Sequence, residues 1–280
     1  MFTVQLILSF IVGGLFIALQ TLIAERVSLS WRGIVLTLPS TMAIGLLFIG
    51  LTKSPQDVVE AVTVMPAALG ICYIYLTFFI LLTLRLNSIL SFTGAIISWA
   101  ISAFVILRFP PANSLVSILY MAVAIISTYL VIIRLPQVTH LKIFPMNWKH
   151  LTVRSLFGGT IIALAVFLSK TLGNTWGGLF STFPAVFTST LFIYYHLQGK
   201  AILPAIGKSL YFPGSIGFLI YIWIVAITFP RIGIWLGTLS AYLVLLVFLF
   251  VWNFWIGKCS EKPPGNYPES SEFDIFQPHP

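Results

Sequence analysis

The sequence predicts an all-α, polytopic membrane protein of about nine transmembrane helices in an inverted 4+1+4 repeat. Three observations lead there. Of 280 residues, 59% are hydrophobic and 8% charged. A soluble domain carries about a quarter charged residues, so this chain could not cover a globular surface with polar groups. Second, Trp31-Arg32-Gly33-Ile34-Val35-Leu36-Thr37-Leu38-Pro39 recurs as Trp176-Gly177-Gly178-Leu179-Phe180-Ser181-Thr182-Phe183-Pro184, with Trp, Gly, Thr and Pro in register. Third, five crossings separate the starts of the equivalent first and sixth spans. Five is odd, so the second copy enters the membrane from the opposite side.

Apolar runs long enough to cross a bilayer, about 20 residues each, are expected at 3–24, 32–51, 61–84, 89–107, 113–133, 152–170, 176–196, 206–229 and 232–257. The first lacks the basic start of a signal peptide and is read as a span; it closes at Glu25-Arg26. The second opens on the repeated phrase. Asp57 and Glu60 precede the third and are expected to be solvated on an outer loop; Arg85 closes it. The fourth holds Gly94, matched by Gly237 in the ninth. The fifth has no partner, and Arg134 to Lys149 follows as the linker between halves. Lys170 ends the sixth, the seventh opens on the second phrase, and Arg231 follows the eighth. Pro66 and Gly70 match Pro213 and Gly217; these prolines are read as first-turn residues, where proline is tolerated, and the glycines as close-packing points. All are helices, because a strand edge in lipid would leave backbone groups unpaired, and the alternation of a membrane barrel is missing. The expected units are 1–110, a first four-helix repeat; 111–150, the unpaired helix and basic linker; 151–257, the inverted second repeat; and 258–280, a disordered tail rich in Pro, Ser and Glu.

Fifteen Lys and Arg face seven acids, four of which (Glu261, Glu269, Glu272 and Asp274) lie in the tail. The basic residues are scattered singly between spans, which speaks for loops and headgroups and against nucleic acid. One side receives 11 of them, Arg154 included, and the other receives Lys53, Arg108, Lys170 and Arg231. The positive-inside rule then sets the N-terminus outside and the C-terminus in the cytoplasm. Cys72 and Cys259 form no disulfide framework and no metal-ligand spacing.

Pro39 and Pro184 fall inside predicted helices, where proline removes a backbone hydrogen bond. Thr37 and Thr182, two residues earlier, could supply hydroxyls to the freed carbonyls. Proline-interrupted helices at matching positions of inverted halves point to a midplane binding site; a kink that only shapes packing is the other reading. Trp31 and Trp176 open their spans as interfacial anchors or as stacking residues at opposite mouths of the site. Glu25, beside Arg26 and Arg32, is expected at the cytoplasmic interface. No acid falls mid-span, while hydroxyls such as Thr188, Ser189, Thr190, Ser98, Ser102 and Thr238 suit a neutral or anionic solute or glue helices together. There is no nucleophile elbow, phosphate-cradling loop or carboxylate pair, so no enzymatic activity, metal or cofactor is expected.

The first half resembles the small GlpM-type bacterial membrane proteins. Gly33-Ile-Val-Leu-Thr-Leu-Pro-Ser-Thr41, Glu60-Ala61 and Phe92-Thr-Gly-Ala-Ile-Ile-Ser-Trp-Ala-Ile-Ser-Ala-Phe104 carry the resemblance; the second half keeps the Gly178-to-Pro184 element. The resemblance implies a four-helix unit linked in a general way to exopolysaccharide production. A distant architectural likeness to the drug/metabolite transporter superfamily is an analogy only. The expected function is transport of a small solute by alternating access, with Trp31, Gly33, Thr37, Pro39, Trp176, Gly178, Thr182 and Pro184 as the site. The alternative is a non-transporting scaffold of an envelope polysaccharide or lipid pathway. The expected partners are the bilayer and a solute, with a second copy of the chain or an envelope-synthesis protein left open.

Overall fold

The computed structural model describes residues 2–27, 35, 38–136 and 147–260. They form α1 (Phe2–Arg26), α2 (Ser40–Thr52), α3 (Pro55–Thr83), α4 (Ser88–Arg108), α5 (Ser114–Ile132), α6 (Trp148–Leu172), α7 (Asn174–Ser181), α8 (Ala185–Gln198), a 3-10 turn at Lys200–Ile202, α9 (Leu203–Ile232) and α10 (Ile234–Ser260). Among the described residues, eight stretches are long and apolar enough to span a membrane; one of these, Asn174–Gln198, is α7 and α8 together. The fold is therefore an all-α polytopic membrane protein. The expected second span is described from Ser40 as a 13-residue helix, about 20 Å at 1.5 Å per residue. Glu25's side chain, Trp31, Gly33, Thr37, most of the interhalf linker and the tail from 261 lie outside the described residues.

The apolar faces divide according to neighbours. Helix α3 is buried along most of its length and packs on α2, α4, α5, α7 and α9. A helix apolar all round is a helix surrounded by protein. By contrast Leu115, Leu119, Val123, Ile126 and Leu130 of α5 are exposed at helical spacing. In a bilayer that stripe meets lipid.

Small residues set the contact between halves. Gly13-Gly14 of α1 recurs as Gly158-Gly159 of α6, displaced by the same 145 residues as Pro39 and Pro184. A Cβ on Gly14 would stand 3.0 Å from the Ser155 carbonyl oxygen, and one on Gly159 would stand 2.7 Å from the Phe10 carbonyl oxygen. Phe10 and Ser155 are themselves 145 residues apart, so one contact maps onto the other. Likewise Gly13 lies against Ile162 and Gly158 against Ile17. Phe2, at the start of α1, stacks on Phe167, near the end of α6, with ring centroids 6.5 Å apart. The two helices therefore cross antiparallel, with backbones touching where side chains are missing.

Three expectations change. Helix α3 begins at Pro55, not near 61: Ser54 is its N-cap, accepting from the Asp57 N–H at 3.2 Å, and Pro55 takes the first helical position. Pro66 is thus eleven residues into the helix and not in its first turn; position 213 is also interior to α9. The Ala67 N–H next to Pro66 donates to Ser117 Oγ of α5 at 3.0 Å, so the unpaired helix supplies the hydroxyl that the broken turn needs. Gly70 does meet α5 closely, a Cβ there lying 3.0 Å from Ala124 Cβ. Finally, α6 begins at Trp148, four residues before the expected start, so Arg154 lies a further turn into the helix than expected. Arg154 is 9% exposed and donates from Nη2 to Thr190 Oγ1 of α8 at 3.2 Å; it is not a loop charge.

Candidate functional site

Proline has no N–H and a fixed φ, so the chain must leave the helix at Pro39 and Pro184. It does so identically in both halves. Pro39 has φ −77° and ψ 59°, Pro184 φ −78° and ψ 55°. These are inverse γ-turns: the Ser40 N–H donates to Leu38 O at 2.8 Å, and the Ala185 N–H to Phe183 O at 2.8 Å. Each proline then caps the next helix, its carbonyl accepting from Ala43 or Thr188 at 2.8 Å.

The carbonyls before each break find different partners. Thr182 Oγ1 donates to Leu179 O at 2.8 Å, the hydroxyl role foreseen for it. In the first half Gln20 of α1 acts, its Nε2 donating to Val35 O at 2.6 Å and Leu38 O at 3.1 Å. Gln20 was missed from the sequence, although an amide deep in an apolar span is itself a signal.

Pro39, Thr182 and Pro184 line one cavity with Cys72, Tyr73 and Phe218. Its volume is about 30 Å³, room for about one water. Ser40 and Ser181 also line it, and their hydroxyls, both buried, have no hydrogen-bond partner among the described residues. Cys72 Sγ faces the same space and donates to Thr182 O at 2.8 Å. Gly178 lies elsewhere: a Cβ there would sit 2.6 Å from the Ala61 carbonyl oxygen, so it lets α7 reach the α3 backbone. Trp176 is also outside the cavity; half-buried over Phe180 at 6.3 Å, it borders a separate groove beside α4. Most of the other hydroxyls, Ser98, Ser102 and Thr238 among them, bond carbonyls of their own helix.

Residues 6–110 match the model of a family described as a protein of unknown function, DUF3147. No curated protein and no solved structure matches the chain. The first half thus resembles a family of unknown function. The match holds Gln20, Pro39, Ser40 and Cys72 but stops before the cavity's other wall, which α7 and α8 provide.

A polar cluster joins the halves where α2 gives way to α3. Asn174, opening α7, donates from Nδ2 to Asp57 Oδ1 at 2.9 Å and to Glu60 Oε2 at 2.6 Å. Lys53 Nζ donates to Asn174 Oδ1, pairs with Asp57 at 3.1 Å and reaches Ser169 O at 3.4 Å. Gly173, at φ 105° and ψ 169°, makes the tight entry into α7 that aims Asn174 there; this conformation is all but reserved for glycine. Asp57 and Glu60 therefore belong to the first turns of α3 and not to a loop; Asp57 is half-buried, and Glu60 stays exposed while bonding across the halves. The Ser54-Pro55-x-Asp57 start signal could have shown them to be helical.

The two unpaired hydroxyls make a prediction. A buried hydroxyl without a partner costs about 1–3 kcal/mol, so Ser181→Ala is expected to raise the thermal unfolding temperature of the purified protein. A lowered midpoint would show that the hydroxyl is already satisfied.

Proposed function

We propose that this chain is a bacterial inner-membrane transporter of a small neutral or anionic solute, working by alternating access between two inverted halves. The observation that carries the reading is the cavity itself. Two matching proline breaks, one from each half, converge on it, and it holds two hydroxyls that have no hydrogen-bond partner among the described residues. Discontinuous helices at a repeat interface are where such transporters hold substrate. The reciprocal antiparallel contact of α1 with α6 supports the inverted relation, and the 11-to-4 charge bias supports an outside N-terminus. Arg154, linked through Thr190 to the α8 turn bearing Val186 on the cavity wall, suits an anion. At about 30 Å³ the cavity is too small for any solute larger than a water. Entry needs the halves to separate, and the Lys53–Asp57–Asn174 cluster would latch the outer side.

The same small cavity favours a second reading. A tightly packed, largely apolar junction is also what a static scaffold would have, and the GlpM-type resemblance implies envelope polysaccharide work. Cys72 separates the two without knowledge of the solute. In a Cys259→Ser protein it is the one thiol left, and it faces the cavity. For a transporter, a membrane-impermeant maleimide added to sealed vesicles labels Cys72 slowly but measurably. If Cys72 stays unlabelled from either side over hours, while denatured protein labels fully, the transport reading fails and the scaffold stands.

A further inference from the structure

We infer that the lateral groove between α4 and α7 is a binding site for one anionic phospholipid of the outer leaflet, separate from the proline cavity. The groove has a volume of about 520 Å³ and is lined by Trp99, Ala100, Ala103, Phe104, Leu107 and Arg108 of α4, with Trp176 of α7 on its far wall. Its floor is concave because alanines lie between large side chains. The inner end is fixed: Trp99 is 7% exposed and meets Phe180 and Phe183 edge-on, with centroids 5.1 and 5.3 Å away. A rigid, preformed apolar trough facing lipid is filled by an acyl chain.

Length and charge select the occupant. From Trp99, mid-helix, to Arg108, the last residue of α4, the axis runs about 14 Å at 1.5 Å per residue. That is about half of a 30 Å hydrocarbon core, the depth of one leaflet. The apolar trough therefore ends at headgroup level, and there it ends on a cation. Arg108 is exposed, its guanidinium lies 5.7 Å from the Phe109 ring centroid, and no carboxylate pairs with it among the described residues. A planar guanidinium bonds a phosphate through two donors. Net negative lipid is preferred because a zwitterionic headgroup carries its own cation beside the phosphate.

Native mass spectrometry of protein taken from bilayers of equal phosphatidylglycerol and phosphatidylcholine tests this. The wild-type protein is expected to retain one phosphatidylglycerol above the annular background. Arg108→Gln should lower the preference over phosphatidylcholine by about fivefold, the effect of one cation at an anionic surface. Arg231→Gln, a cation at the same membrane face but outside the groove, should leave it unchanged. Ala100→Trp, an exposed position that fills the trough, should lose bound lipid of both kinds while keeping the wild-type helical spectrum. Equal retention by Ala100→Trp, or an unaltered preference in Arg108→Gln, would overturn the site. So would equal losses in Arg108→Gln and Arg231→Gln, which mean annular lipid only.

Discussion

Gly159→Leu is expected to abolish the folded protein, or to destabilise it by about 3 kcal/mol or more, as overpacking against an immovable neighbour does. A Cβ at 159 would lie 2.7 Å from the Phe10 carbonyl oxygen and 3.4 Å from the Gly14 nitrogen. Both are backbone atoms within α1, so no rotamer change makes room and the helices must part. Parting strips contact from Ile17 and Ile162, both buried in the central cluster. Because the contact is reciprocal, Gly14→Leu should do the same through Ser155. Thr160→Leu is the comparison: the next residue along α6 is exposed and should tolerate leucine with little change. Thermal unfolding in mild detergent, followed by helical signal, gives the ranking. If Gly159→Leu unfolds within a degree or two of Thr160→Leu, α1 and α6 do not meet as described.

Breaking the polar cluster should have the second large effect, on access. In the Cys259→Ser background, Asn174→Ala is expected to speed maleimide labelling of Cys72 from the outside by about tenfold. Asn174 uses both its oxygen and its nitrogen across the halves, to Lys53 and to Asp57 and Glu60. Hydrogen bonds to charged groups contribute about 1.5–3 kcal/mol each, less at partly solvated sites; a net loss near 1.4 kcal/mol gives the tenfold change. The Lys53–Asp57 pair stays within the first half, so α3 keeps its start and the protein its fold. Labelling that rises equally from both sides would mean general loosening, and an unchanged rate would mean that the cluster latches nothing.

Much of the architecture was legible because lipid imposes simple demands. A span must be about 20 apolar residues and helical, so the helix list could be read almost directly. Its errors fall where polar residues belong to helices. Asp57 and Glu60 looked like loop because charges normally mark boundaries, yet Ser54 and Pro55 had already started α3. Arg154, expected at the start of the sixth span, was counted with the headgroup-side charges, yet it lies buried inside α6. The site was half legible. Pro39, Thr182 and Pro184 meet as their repetition suggested, whereas Gly178 and Trp176 share the repeated phrase but not the cavity. A helix sends neighbouring residues to different faces, and periodicity alone does not say which face meets which helix. Ser40, Ser181, Gln20 and Cys72 were overlooked because isolated hydroxyls, amides and thiols are common in apolar spans.

By itself, the sequence determined that this chain lives in a membrane as helices, that its halves share a pattern, and that each half breaks at a proline. Those properties follow from composition and from the missing proline N–H, which act locally. Only the tertiary structure decided that both breaks open onto one small space, that Gly14 and Gly159 let two backbones touch, and that Asn174 bridges to Lys53, Asp57 and Glu60. Such contacts join residues more than a hundred positions apart, and their distances are set by how helices cross.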